Sequence, residues 1–118
     1  MKALLLFFIW SLSTGLGDDP QVQFFLNGQP LDIAKGIYAR PNTMLGLKIH
    51  DEQLLRVDTD QPVEILITLA NGQRPIRADK WKYRSGFKWK VWPADSGDRI
   101  IVELPNSKGS LVYSIPIR

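Results

Sequence analysis

Apolar side chains recur at every second position in short runs along this chain, and turn residues separate the runs. Two-residue alternation belongs to β-strands, whose successive side chains leave opposite faces. Pro62–Ala70 shows it most clearly, with Val63, Ile65, Ile67 and Leu69 in one phase. Gln21–Leu26 is β-rich and meets Asn27-Gly28, a strong hairpin signal, before Gln29–Ile33. Asn71-Gly72 repeats that signal ahead of Gln73–Ala78, and Thr43–Ile49 alternates around Gly46 after a Pro41-Asn42 turn. Phe87–Trp92, Arg99–Leu104 and Ser110–Ile117 complete the set, punctuated by Pro93, Ser96-Gly97, Pro105-Asn106 and Lys108-Gly109. The pattern predicts an all-β fold, an immunoglobulin-like antiparallel β-sandwich of about seven or eight strands. Asp51–Val57 could form a turn or two of helix, but eight prolines and nine glycines leave few other helical windows.

The N-terminus follows a different rule. Met1-Lys2 is a short positive start, Ala3–Leu12 is apolar, and small residues lead to Gly15-Leu16-Gly17. That order predicts a cleavable signal peptide over residues 1–17, with cleavage before Asp18. The apolar run is about half the roughly 20 residues that a membrane-crossing helix needs. Residues 18–118 then fit one domain, large enough for a single core. No cysteine is present, so disulfides, thiolate metal sites and a lipid-carrying cysteine are all excluded. A small exported protein without disulfides points to a bacterial envelope, periplasmic or secreted.

Charge changes the picture in one place. Arg74–Lys90 holds Arg74, Arg77, Lys80, Lys82, Arg84, Lys88 and Lys90 against the single acid Asp79. Trp81 and Tyr83 alternate with Lys80, Lys82 and Arg84, and Phe87, Trp89 and Val91 alternate with Lys88 and Lys90. Period two predicts that the aromatics face the core while the cations form a stripe on the outer face of a hairpin turning near Ser85-Gly86. Such a stripe either solvates a strand or steers an anionic partner. Trp92 falls out of phase, just before Pro93, where it could be exposed as an interface anchor or cover the end of the sandwich. The seven cations and Trp92 are therefore the candidate partner-binding residues. Nucleic acid is not expected, because base stacking needs aromatics and cations on one face. An acidic stretch, with Asp51, Glu52, Asp58, Asp60 and Glu64 around Arg56, offers a complementary patch for copies or homologous domains.

Catalytic arrangements are poorly served. His50 is the one histidine, and neither a G-x-S-x-G elbow, an H-E-x-x-H pair nor a phosphate-cradling loop occurs. His50 and Asp51 are neighbours, and neighbours in a strand point apart. Asp58-Thr59-Asp60 and Asp95-Ser96-Gly97-Asp98 lack EF-hand spacing and read as carboxylates capping turn amides. No catalytic residue, cofactor or metal ligand is assigned.

Val63–Ile76 (VEILITLANGQRPI) and Ser96–Arg118, with SGDRIIVEL followed by LVYSIPIR, resemble the immunoglobulin-like C-terminal domains of the GldM family. These are periplasmic shaft proteins of gliding motility and type IX secretion in Bacteroidetes. The resemblance implies the sandwich fold and a protein-binding role in the periplasm, and it transfers no functional residue. Members of that family carry an N-terminal membrane helix and several tandem domains, unlike the single domain expected here. The expected function is a non-catalytic interaction or scaffolding module that docks another envelope protein or homologous domain through a cationic strand face or a free sheet edge. A carbohydrate-binding module stacking polysaccharide on exposed aromatics is the alternative from another class. A small secreted hydrolase inhibitor would share the first mechanism.

Overall fold

Asn27 and Gly28 both take positive φ, 49° and 85°, the geometry of a two-residue hairpin turn that matches strand twist. They join β1 (Val22–Leu26) to β2 (Gln29–Pro30), with Leu26 opposite Gln29. The computed structural model describes residues 22–38, 40–52, 61–106 and 109–118. The expected signal peptide over residues 1–17 and the acidic residues Asp58 and Asp60 lie outside these, as does most of the helical window after Glu52.

The remaining strands are β3 (Met44–Ile49), β4 (Glu64–Asn71), β5 (Arg74–Lys82), β6 (Lys88–Lys90), β7 (Asp98–Asn106) and β8 (Gly109–Pro116). They form two four-stranded antiparallel sheets, one ordered β2-β1-β3-β6 and the other β5-β4-β7-β8. The protein is all-β, as the alternation predicts. No helix among the described residues is long and apolar enough to cross a membrane.

Inward residues of both sheets share one core. β4 gives Ile65, Ile67 and Leu69, β7 gives Ile100, Val102 and Leu104, and β3 gives Leu45, Leu47 and Ile49. Each fully buried aliphatic side chain contributes about 1.5–3 kcal/mol relative to exposure. Polar and aromatic contacts tie the sheets together. The buried Tyr83 hydroxyl accepts a hydrogen bond from the Ile49 amide at 3.1 Å, and Phe24 meets Tyr113 edge-on at 5.1 Å.

The second hairpin turns one residue later than its sequence signal suggests. Asn71 pairs with Arg74, so Gly72-Gln73 is the turn, and Gly72 supplies the positive φ of 62°. The expected hairpin at Ser85-Gly86 does not form. The Phe87 amide does bond the Arg84 carbonyl at 2.9 Å, which makes a tight turn. Yet β5 pairs with β4 and β6 pairs with β3, so this turn carries the chain from one sheet to the other. Tight turns close hairpins only when both arms stay in one sheet, and Tyr83, anchored in the core, redirects this one.

Candidate functional site

β5 differs from every other long strand here, because all nine of its residues are exposed. Its register explains why. Arg77, Asp79 and Trp81 stand opposite Leu69, Ile67 and Ile65, the core-facing row of β4. The inward row of β5 therefore continues the core face, but the opposing sheet ends in β6, which has three residues, and does not cover it. Trp81 is consequently 40% exposed, which corrects the expectation that it is buried. Tyr83 and Trp89 are buried as expected, and Phe87 is half-buried against Trp81, ring centroids 6.5 Å apart. The sequence held a sign of this. The phase set by Trp81 and Tyr83 also contains Asp79 and Arg77, and no core row carries two uncompensated charges.

The cations do not form one stripe. Lys80 and Lys82 sit on the outer face of the β4–β5 sheet, opposite Leu66 and Glu64. Lys88 and Lys90 flank the buried Trp89 and so lie on the outer face of the other sheet. Arg84 occupies the crossing segment, and Arg77 belongs to the inward row. Splitting β5 and β6 between two sheets sends the two ends of one sequence run to opposite outer faces of the sandwich, both at the same edge of the fold. All seven candidate cations, Arg74 included, are exposed and gather around the side where β5 and β6 end their sheets. The result is a cationic rim rather than a flat ribbon.

Trp92 is half-buried behind this rim. Its ring meets Trp89 at 4.9 Å and 87°, and the Arg77 guanidinium lies 4.8 Å over it. It thus holds Arg77 in place through a cation–π contact and closes the gap between sheets. A flat sugar-stacking platform needs two exposed, coplanar rings. Of Trp81, Tyr83, Trp89 and Trp92, only Trp81 is exposed, and Trp92 stands perpendicular to Trp89.

The backbone of β5 is open on one side. The Tyr83 amide bonds the Val63 carbonyl at 2.8 Å, which fixes Val63 and Tyr83 as a hydrogen-bonded pair. Antiparallel pairs alternate between bonded and non-bonded, so Trp81, Asp79 and Arg77 point their backbone groups at β4. Lys82, Lys80 and Ala78 point theirs outward. No described strand pairs with that side. The Lys80 amide instead donates to the Asp79 Oδ1 at 3.0 Å. Pro75 and the register shift between Leu69 and Ala70 mark the other end of the strand, both features of sheet edges.

β8 forms the opposite edge of the same sheet, where Pro116 suggests a free edge in the sequence. Its C-terminal end is covered. The Ile37 amide bonds the Pro116 carbonyl at 2.8 Å, and the Arg118 amide returns to the Ile37 carbonyl at 2.7 Å. Gly36 permits this, since its φ is 80° and a Cβ there would collide with the Pro116 carbonyl oxygen.

A groove of about 500 Å³ lies on the outer face of the β1–β3 sheet, floored by Gly46 between Phe25 and Phe87 and flanked by Lys48 and Lys88. The glycine interrupting TMLGLKI is its sequence signal. At the Asp95–Asp98 turn, Asp98 Oδ2 accepts from the Asp95 amide and Oδ1 from the Asn71 side chain, each at 2.9 Å. These bonds, the Asp95 amide first, hold the Asp98 carboxyl below its ordinary value. Oδ2 thus closes the turn, as the spacing implies, while Oδ1 ties the turn to Asn71 on β4.

No protein-family model, no curated protein and no solved structure matches the chain.

Proposed function

We propose that this chain is an exported, non-catalytic interaction module of the cell envelope, an immunoglobulin-like sandwich that docks another envelope protein at the β5–β6 rim. One observation carries the reading: a nine-residue edge strand exposed on both faces and surrounded by cations. Exposed edge strands invite pairing, and proteins ordinarily cover or shorten them. Here the edge stays long and is guarded by charge, which repels basic strands and leaves acidic ones admissible. Clustered positive potential steers an acidic partner into an encounter and disfavours basic ones. The signal-like N-terminus and the absence of cysteine support an envelope location. The likeness of Val63–Ile76 and Ser96–Arg118 to GldM-family domains agrees with a protein-binding role.

The test is affinity capture from the native envelope with wild-type protein and with a variant carrying Lys80→Glu, Lys82→Glu, Lys88→Glu and Lys90→Glu. A partner retained by wild type at low salt, released by salt and lost by the variant is the expected result. Equal capture by both proteins at every salt concentration would remove the rim from the function.

A further inference from the structure

The open side of β5 already binds one carboxylate, its own. We propose that this edge accepts an extended acidic peptide as an added strand, and that the Asp79 carboxylate occupies the Lys80 amide until such a strand displaces it. The proposal rests on the rim reading above and specifies its partner and mode of contact.

Three observations combine. Backbone groups of Ala78, Lys80 and Lys82 face outward, the alternation required for a further antiparallel or parallel neighbour. The outward Lys80 amide donates at 3.0 Å to the carboxylate of Asp79, the single acid among seven cations. The side chains that an incoming strand would meet are mostly cationic: Lys80 and Lys82 on one face, and on the other Arg77, held over the Trp92 ring, with Asp79 between it and Trp81.

Charge then selects the occupant. Directly opposed side chains in a sheet lie roughly 4.5–5.5 Å apart, close enough for like charges to repel. A second copy of β5 paired antiparallel about Lys80 would set Lys80 against Lys80 and Lys82 against Ala78, so self-pairing is disfavoured. An acidic strand gains opposite Lys80 and Lys82. It also replaces the bond that Asp79 makes, because its backbone carbonyl can take the Lys80 amide. Asp79 therefore caps the edge in the free protein and competes with every partner that adds there.

The experiment uses the purified protein and a short synthetic peptide alternating glutamate with valine, blocked at both ends. A second peptide of the same sequence is N-methylated on the amides that would face β5. Binding by the first peptide, weakened about tenfold or more in the second through loss of two hydrogen bonds, is the expected result. Amide exchange at Ala78 and Lys82 should slow on binding. Asp79→Ala, which removes both charge and cap, should bind the first peptide about threefold more tightly than Asp79→Asn, which keeps an acceptor for the Lys80 amide. That gap should vanish with the methylated peptide.

Equal binding of both peptides would overturn strand addition while leaving a charged docking rim intact. Binding of dextran sulfate but neither peptide would overturn it in favour of an anionic polysaccharide. Dimerisation of Asp79→Ala without peptide would assign the edge to a second copy instead. No binding of either peptide or dextran sulfate, with the charge-reversed variant unaltered in envelope capture, would end the rim reading as well. The peptide comparison needs no substitution in the protein, so misfolding cannot mask the outcome.

Discussion

β4 and β5 are the two arms of one hairpin, paired residue by residue, yet they live in different environments. Ile67 and Asp79 stand opposite each other on the same face. Ile67 is buried among both sheets, while Asp79 is exposed and bonded to the strand edge. The difference comes from neighbours. β4 lies between β5 and β7 and beneath the other sheet, whereas β5 has one strand beside it and a three-residue strand near it. Pairing alone does not bury a strand. Cover does, and cover is supplied from the other sheet.

Truncating both members of the opposed pair separates the two environments most widely. Ile67→Ala should cost about 3–4 kcal/mol in urea unfolding, as large-to-small changes at sealed core sites do. Asp79→Ala should stay within about 0.5 kcal/mol of wild type. Similar losses in both would mean that β5 is part of the core. The turn joining the arms comes next. Gly72→Ala should cost roughly 1–2 kcal/mol, because φ of 62° places the new Cβ against the backbone. An unchanged midpoint would show that the turn relaxes freely.

The Asn71–Asp98 bond at the turn end of the hairpin makes stability there depend on pH. Asp98 has a folded value below the ordinary 3.8, so it favours the folded state at higher pH. That contribution is lost as pH falls from about 3.8 through the lowered value. Asp98→Asn should therefore flatten the acid limb of a plot of Tm against pH, and an identical limb would refute the assignment. Asp79, on the open strand, lacks that pair of bonds.

Smaller effects follow on the exposed arm. Arg77→Ala should lower stability by about 0.5–1 kcal/mol and alter tryptophan fluorescence, since the guanidinium leaves the Trp92 ring. Smallest of all, Lys80→Ala and Lys82→Ala should each change stability by less than about 0.5 kcal/mol while weakening capture of the partner. Unfolding by either would make them structural residues.

Much of this was legible in the residues. The phase of Val63, Ile65, Ile67 and Leu69 is the core face of β4, and Asn27-Gly28 is a hairpin turn where it stands. Asp95 and Asp98 close a turn as their spacing suggests. Aromatic alternation alone places Trp81 in the core, and Asp79 and Arg77 in the same phase show that its row is exposed. Ser85-Gly86 makes its turn, but nothing local distinguishes a turn within a sheet from one between sheets.

By itself the sequence determined the strands, their inward rows and the concentration of positive charge, since these depend on neighbouring residues and on a two-residue repeat. Long-range packing alone puts β5 and β6 in different sheets, sets Trp92 under Arg77 and leaves β5 with an open side. Those outcomes depend on which distant segment reaches which edge. The Ile37 loop covers the C-terminal end of β8, and no described segment pairs along the open side of β5, a difference set by long-range packing and carried by no local pattern.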